Sequence, residues 1–177
     1  MIIVTGGAGF IGSNFILKFL EASNENLLNL DNLSYAANLS NLKTIDSDPR
    51  YSFSKINIQN QSEVEAIVKK VKPRAILNFA AESHVDRSIE GPKSFINTNI
   101  LGTYSLLEAA LNYWNDLDEN GKKIFRFFHI STDEVFGSLD INDKKSTEEN
   151  SYKPNSPYSA SKAASDHLVR AWHHTFK

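Results

Sequence analysis

The sequence contains no cysteine among its 177 residues. Disulfides, thiolate zinc sites and a cysteine nucleophile are therefore excluded, and the absence fits a reducing compartment. Neither sign of charge predominates, since 19 basic and 21 acidic residues give a formal net charge of −2. Without a long basic run, no nucleic-acid or membrane-surface role is expected. The expected partner is a small molecule or another copy of the chain.

Long hydrophobic runs are missing as well. The amino-terminal stretch is apolar for only a few residues and has no basic lead, unlike a secretory signal. No apolar run approaches the length of a membrane span. These features predict a cytoplasmic location. The hydrophobic content of 41% is enough for one core, so we expect a single domain over residues 1–177.

Short apolar segments alternate with segments of helical periodicity. Five strands are predicted, at residues 1–4, 27–30, 51–58, 75–79 and 124–130. Helices are predicted at residues 10–20, 62–71, 99–114 and 158–176, the last with Ser156 as N-cap and Pro157 at its first position. This alternation predicts an α/β fold, a doubly wound parallel sheet with helices on both faces. Residues 32–49, with a short helix near 39–45, and the polar loop 138–155 complete the chain.

A glycine-rich turn follows the first predicted strand and opens the first helix. Gly7, Gly9 and Gly12 satisfy GxGxxG, and Gly6 with Gly9 and Gly12 satisfies GxxGxxG. Such glycines let the backbone approach a pyrophosphate, which the helix N-terminus attracts. Asp31 ends the second strand, where a carboxylate would bind an adenosine ribose and favour NAD over NADP. The pattern predicts a Rossmann-type dinucleotide site; the alternative is a tight turn without a cofactor.

Two acidic residues follow the fifth strand, at the sheet edge where such folds bind ligands. Asp133 and Glu134 come directly after Thr132. In an extended strand their side chains would point to opposite faces, so both can reach one substrate only if the chain turns. Gly137 is consistent with a turn. Such a pair can divide into a general acid and a general base; the alternative is two solvated loop acids.

A tyrosine and a lysine lie four residues apart at the start of the last helix. Tyr158 and Lys162 share one helix face. The ammonium and the helix N-terminus are expected to lower the pKa of the phenol towards neutral pH. Tyr158 is therefore predicted to be the base of a hydride-transfer step. The alternative is a surface pair on an amphipathic helix.

Together these segments resemble the extended short-chain dehydrogenase/reductases, and within them the nucleoside-diphosphate-glucose 4,6-dehydratases. The resemblance runs the whole length and is carried by residues 5–12, 30–36, 80–89, 98–103, 131–137 and 157–162. The Ser-Thr-Asp-Glu segment at residues 131–134 is typical of the dehydratases, because related 4-epimerases and decarboxylases differ there. Asn57, where relatives usually carry aspartate, and Phe136, where they carry tyrosine, depart from the pattern.

The resemblance implies an NAD-dependent lyase that dehydrates a nucleoside-diphosphate glucose to a 4-keto-6-deoxy sugar, with thymidine favoured over uridine as the base. Tyr158, aided by Lys162 and Thr132, would take the 4-hydroxyl proton as hydride leaves C4. Glu134 would remove the C5 proton and Asp133 would protonate the departing 6-hydroxyl, before hydride returns to C6.

The same resemblance implies which residues bind the ligands. Those at the NAD site would be Gly6, Gly7, Gly9, Phe10, Ile11, Gly12, Asp31, Asn32, Leu33, Ser34, Asn57, Ile58, Phe79, Ala80, Ala81, Ser83, Thr98, Tyr158 and Lys162. Those at the sugar would be Ser83, Thr132, Asp133 and Glu134.

The family continues with a further strand, a substrate-binding asparagine and a small nucleotide-binding lobe, none of which has a counterpart here. We therefore expect the substrate-binding lobe to be absent. Two alternatives to the dehydratase remain. The missing lobe motivates the first, an NAD-binding and self-associating fragment with little activity, and the second is a nucleotide-sugar 4-epimerase. Family members pair through the two helices near residues 106–114 and 168–176, which predicts a homodimer. No metal site is expected, because no carboxylate completes a set with the histidines.

Overall fold

The structure, a computed structural model, describes residues 1–176. Contacts divide the chain into two compact units. The first unit comprises Met1–Ala80 and Ser105–Ile130, and the second comprises Ala81–Tyr104 and the residues from Ser131 onward. That residues 1–177 act as one NAD-binding domain stays a prediction. No helix among the described residues is long and apolar enough to cross a membrane.

Strands and helices alternate along the chain. In order they are β1 (Ile2–Thr5), α1 (Phe10–Ala22), β2 (Leu27–Asp31), a 3-10 helix (Leu39–Ile45), β3 (Tyr51–Lys55), α2 (Gln61–Val71), β4 (Ala75–Asn78), α3 (Val85–Glu90), α4 (Pro92–Phe95), a π-helix (Ile96–Gly102), α5 (Thr103–Asn115), α6 (Glu119–Ile124), β5 (Arg126–His129), a second 3-10 helix (Asp133–Phe136) and α7 (Pro157–Phe176).

The first unit is built on a parallel sheet in the order β3-β2-β1-β4-β5. Every residue of β1 and β2 is buried, as expected for strands that helices cover on both faces. One face packs through Ile3, Leu28, Leu30, Ile76, Val64, Val68 and Leu106. The other packs through Ile2, Val4, Leu27, Ile16, Leu20 and Leu42. The predicted doubly wound α/β fold is confirmed.

Most predicted strand boundaries lie within one residue of the observed ones, but two are off by two or three residues, and turn and cap chemistry explains both. The strand expected at residues 51–58 ends at Lys55, because Asn57 begins a turn in which its side-chain oxygen accepts from the Gln59 N–H at 3.0 Å. The strand expected at 124–130 begins at Arg126, because Ile124 ends α6. Asp118 caps that helix by accepting from the Gly121 N–H at 2.7 Å.

The second unit consists of helices and loops. The helix expected from residue 99 is a π-helix up to Gly102 and regular only from Thr103. Phe95, with 1% of its surface exposed, forms part of the core, and its ring meets that of Tyr158 edge-on at 6.3 Å. Helix α7 begins as predicted, since the Ser156 hydroxyl oxygen accepts from the Ser159 N–H at 3.0 Å and Pro157 comes first.

Candidate active site

The glycine-rich turn joins β1 to α1 in the first unit. Gly6 has φ of 68°, a conformation that favours glycine. A Cβ on Gly6 would lie 2.6 Å from the Ala80 backbone, so the chain that follows β4 leaves no room for a side chain there. A Cβ on Gly12 would collide with the Gly6 carbonyl oxygen. The turn therefore needs glycine at both positions, as the spacing predicted.

The N–H groups at the N-terminus of α1 could hold an anion. Its N-cap is Gly9, which supplies no side-chain cap, and the first turn carries no acidic residue. The first N–H groups of a helix lack partners within the helix, and the helix dipole adds positive character there. Phe10 and Ile11 are 81% and 61% exposed beside these groups.

Asp31 braces the glycine-rich turn. The side chain is 7% exposed, and its Oδ2 accepts from the Ala8 N–H at 2.9 Å. Its Oδ1 accepts from the N–H of Leu33 at 2.8 Å and supports the positive φ of 58° at that residue. Asn32 bonds the Ser34 N–H in the same turn. Each carboxylate oxygen has a second lone pair and could accept a further hydrogen bond. Binding of a ribose by Asp31 is therefore compatible with this bracing role and stays a prediction.

A polar chain crosses the carboxyl ends of β1, β4 and β5, and the sequence reasoning missed it. The Thr5 hydroxyl donates to Asn78 Oδ1 at 2.6 Å, and the Asn78 amide lies 3.2 Å from His129 Nδ1. The Ala80 N–H in turn donates to the Thr5 hydroxyl oxygen at 3.3 Å. The signal available in the sequence was a polar residue at the end of each of three apolar strands.

The remaining predicted cofactor residues lie at several places. In the first unit Asn57 is exposed, Ile58 is 4% exposed in the core, and the Phe79 ring packs on Phe15 at 5.2 Å between centroids. The second unit contains Ala81, Ser83 and Thr98, of which Ser83 is exposed.

Asn99 organises the loop that carries Ala81 and Ser83, and the sequence reasoning missed this residue too. Asn99 is 1% exposed; its amide donates to the Glu82 carbonyl at 2.9 Å and its Oδ1 accepts from the Glu82 N–H at 2.9 Å. The same amide donates to the Ser161 hydroxyl at 2.8 Å, and that hydroxyl donates to the Tyr158 carbonyl at 2.6 Å. Asn99 therefore connects this loop with α7.

The residues after β5 form a tight turn, as the position of Gly137 predicted. Thr132 caps the 3-10 helix Asp133–Phe136, its hydroxyl accepting from the Glu134 N–H at 3.3 Å. Gly137 ends the helix with φ of 100°. Val135, 1% exposed, anchors the turn, while Asp133 and Glu134 are exposed.

Within the second unit this turn lies next to Tyr158. The sequence predicted a lowered pKa for the Tyr158 phenol, and this prediction is wrong because the pKa is raised. Burial is the largest cause that raises the pKa of the phenol, and the charges of Glu134, Asp133 and Asp166 raise it further. A hydrogen bond with Thr132 opposes them. Burial also lowers the pKa of Lys162 to about 8, although Asp166 favours its ammonium form. The sequence pattern had counted the lysine charge but not the burial.

Both acids of the turn lie close enough to Tyr158 for their charges to act on its phenol. The structure thus brings together Thr132, Asp133, Glu134, Tyr158 and Lys162 in the second unit, and the glycines with Asp31 in the first. Among the described residues, no three histidine, aspartate or glutamate side chains form a group that could hold a metal ion.

Comparison with known proteins assigns the chain to a family. The family model described as GDP-mannose 4,6 dehydratase matches residues 3–177. The chain belongs to this family. In the GDP-mannose 4,6-dehydratase family match, the glycine-rich turn and the turn at Thr132 are both covered.

Individual relatives narrow the comparison. A dTDP-glucose 4,6-dehydratase of Haemophilus influenzae is 53% identical over 175 residues, which are 99% of this chain and 52% of that protein. The structure of the Streptomyces venezuelae dTDP-glucose 4,6-dehydratase with NAD and TYD bound is 42% identical with a TM-score of 0.88, over 99% of this chain and 52% of that one. These relatives confirm the resemblance drawn from the motifs.

A more distant neighbour is the UDP-glucose 4-epimerase of Thermus thermophilus in complex with NAD. It is 28% identical with a TM-score of 0.83, over 98% of this chain and 51% of that one. The chain spans about half the length of the curated relatives it matches.

Proposed function

We propose that the chain carries the dinucleotide site and the proton-transfer groups of an NAD-dependent nucleoside-diphosphate-glucose 4,6-dehydratase, a hydro-lyase. The observation that carries the proposal is the turn at Thr132, which hydrogen-bonds Tyr158 and presents two carboxylates whose charges act on the same phenol. The relatives named dTDP-glucose 4,6-dehydratase favour dTDP-glucose as the substrate. The product would be the 4-keto-6-deoxy sugar nucleotide.

The residues of the first unit fit NAD. The uncapped N-terminus of α1 offers N–H donors to a pyrophosphate, and the turn before it has no side chain in the way. The Asp31 carboxylate would accept bonds from ribose hydroxyls and repel a 2′-phosphate, which favours NAD over NADP. When bound, NAD would accept hydride from C4 of the sugar and return it to C6.

Tyr158 serves as the base in the oxidation half of the reaction. It accepts the proton of the 4-hydroxyl as the C4–H bond breaks, so that C4 becomes a ketone. Because burial raises the pKa of the phenol, Tyr158 must be helped to ionise. The Thr132 hydrogen bond lowers this pKa, and a positive charge brought by a ligand would lower it further.

Asp133 and Glu134 perform the elimination. The new ketone acidifies the C5 hydrogen, which Glu134 removes as a proton. Asp133 protonates the 6-hydroxyl, which leaves as water while a C5–C6 double bond forms. After hydride reaches C6, Glu134 returns its proton to C5. Asp133 then takes a proton from solvent, and Tyr158 releases to solvent the proton that it took from the 4-hydroxyl, so all three groups end as they began.

The product mass tests the proposal. The chain is incubated with NAD and with dTDP-glucose or UDP-glucose, and the sugar nucleotide is followed by mass spectrometry. We expect loss of one water, faster from dTDP-glucose. An unchanged mass with an altered sugar configuration would favour the 4-epimerase alternative, which rests on the similarity to the Thermus thermophilus enzyme.

A second candidate is an NAD-binding, self-associating module with little activity of its own. The observation that favours it is that the chain spans about half the length of its relatives. Calorimetry distinguishes the two candidates. NAD binding without sugar-nucleotide binding or water loss supports the module, and turnover by the pure chain contradicts it.

A homodimer is part of the proposal. In the second unit the exposed apolar residues Leu101, Tyr104 and Phe176 suggest a contact surface. The Trp172 ring lies 5.9 Å from Tyr104 and 5.8 Å from Phe176, and its buried Nε1 has no hydrogen-bond partner. Light scattering over a range of concentrations is expected to give twice the chain mass, and a monomer mass throughout would contradict the dimer.

A further inference from the structure

Asp166 accepts two hydrogen bonds that the proposed mechanism does not use. It lies on α7 one turn after Lys162 and two turns after Tyr158, so the three side chains follow one helix face. One carboxylate oxygen, Oδ2, accepts from both the Ser131 hydroxyl and the Tyr152 hydroxyl, the latter at 2.9 Å. Asp166 is therefore the point where three separate segments of the second unit meet.

The bond from Ser131 holds the beginning of the turn. Ser131 immediately precedes Thr132, whose hydroxyl caps the 3-10 helix and bonds Tyr158. Because one peptide bond joins the two residues, a shift of Ser131 would also move the Thr132 hydroxyl. Asp166 thus sets the position of Thr132 from the same helix that carries Tyr158.

The bond from Tyr152 holds the end of the turn. The Tyr152 ring packs edge-on against Phe136, the last residue of the 3-10 helix, with centroids 5.3 Å apart. The Tyr152 ring also lies 5.3 Å from the His167 ring, centroid to centroid. The neighbouring Lys153 N–H donates to the Val135 carbonyl at 2.9 Å. Tyr152 and its neighbour therefore secure the segment that follows Asp133 and Glu134.

The charge of Asp166 is consistent with this geometry. Burial, the hydrogen bond to Asp166 and its negative charge raise the pKa of Tyr152 to about 12, which keeps the phenol a hydrogen-bond donor at neutral pH. The same carboxylate favours the ammonium form of Lys162 against the effect of burial.

We propose that Asp166 is a positioning residue that holds both ends of the Asp133–Phe136 turn and so fixes Thr132, Asp133 and Glu134 relative to Tyr158. The inference rests on the proposed function, because the positions matter for the acid and base steps assigned there. Asp166 itself touches no reacting atom in this scheme.

Two substitutions separate the hydrogen bonds from the charge. Asp166→Asn can keep an oxygen acceptor at the Oδ2 position, whereas Asp166→Ala removes the acceptor and the charge together. Small displacements of catalytic groups cost up to about 100-fold in rate. We therefore expect kcat to fall by roughly 100-fold for Asp166→Ala and by less for Asp166→Asn, with KM for the sugar nucleotide unchanged. Glu149→Gln, which removes an exposed charge in the adjoining loop, is the matched control and keeps the wild-type kcat.

A double-mutant cycle tests whether Asp166 acts through Ser131. Ser131→Ala is made alone and together with Asp166→Ala, and kcat is measured for all four proteins. Because the two residues are in direct contact, we expect the double variant to lose little more activity than Asp166→Ala alone. Fully additive losses, or a change confined to KM, would overturn the inference.

A readout without turnover keeps the two proposals distinguishable. The Glu134 N–H donates to the Thr132 hydroxyl, so its amide resonance reports the turn directly. This resonance is expected to shift in Asp166→Ala and Ser131→Ala and to stay in place in Glu149→Gln. No turnover by the wild-type chain would reject the proposed function alone. An unshifted Glu134 amide in Asp166→Ala would overturn the positioning role whatever the activity.

Discussion

Lys162 shows how strongly burial governs this site. The side chain is 3% exposed, and desolvation lowers its pKa from 10.5 to about 8. The same effect raises the pKa of the neighbouring Tyr158 phenol. At neutral pH the lysine therefore holds its proton at a cost to folding, and the phenol is protonated. A buried lysine that costs stability in the folded chain fits a functional role better than a stabilising one.

The first prediction concerns Lys162 and pH. Between about pH 8 and 10 the unfolded chain holds a lysine proton that the folded chain has lost, so the free energy of unfolding should rise with pH. The difference between the two pKa values corresponds to on the order of 3 kcal/mol over the full window. Lys162→Met should abolish this rise in urea unfolding series at several pH values. Lys144→Met, at an exposed position, should retain it, and an unchanged profile in Lys162→Met would contradict the account.

A second prediction separates Glu134 from its neighbours. Glu134→Gln removes the carboxylate that is proposed to take the C5 proton, and general bases typically contribute about 10²–10⁴-fold to a rate. Loss of water, measured by mass spectrometry, should slow by that order while NAD binding by calorimetry is unchanged. Glu148→Gln, an exposed loop acid, should behave as wild type. Wild-type dehydration by Glu134→Gln would remove Glu134 from the mechanism.

At the scale of elements, the short 3-10 helix Asp133–Phe136 decides what the acids can do. An extended continuation of β5 would send adjacent side chains to opposite faces. Instead the chain turns at Thr132 and ends the turn at Gly137, with its φ of 100°. A Cβ on Gly137 would lie 2.7 Å from the Lys153 carbonyl oxygen. The turn therefore depends on glycine at this position.

The third prediction follows from that close contact. Gly137→Ala should destabilise the protein by about 1–3 kcal/mol, because alanine is strained at positive φ and meets Lys153. It should also lower the rate of water loss by displacing Asp133 and Glu134. Gly91→Ala is the control, since its Cβ would lie 3.8 Å from the nearest atom and its φ is −145°. Equal thermal stability of the two variants would refute the role assigned to Gly137.

Element order could be predicted from sequence, whereas several contacts could not. Strands β1 and β2 are recognisable because burial on both faces favours mostly apolar residues, and Ser156 with Pro157 marks the start of α7. Asn99 hydrogen-bonds residues that lie 17 and 62 positions away in the sequence. Asp166 hydrogen-bonds a residue that lies 35 positions away. Such roles depend on tertiary contacts, although the i+4 spacing of Asp166 from Lys162 was a usable signal.

At the scale of the whole molecule, the predicted site residues fall into two compact units. The first unit holds the glycine-rich turn and Asp31, and the second holds every proposed proton-transfer group. The sequence predicted both sets of residues, but the extra bracing by Asp31 and the raised pKa of Tyr158 became clear only from burial and backbone contacts. The central claim is that the proton-transfer groups of the second unit take part in the NAD-dependent dehydration of a nucleotide sugar.

The most direct test of that claim follows the hydride itself. A dTDP-glucose labelled with deuterium at C4 is incubated with the chain and NAD, and the product is analysed by mass spectrometry and NMR. Oxidation at C4, elimination and hydride return predict a product that has lost water and carries the deuterium at C6. Deuterium retained at C4 in a sugar of unchanged mass would contradict the account.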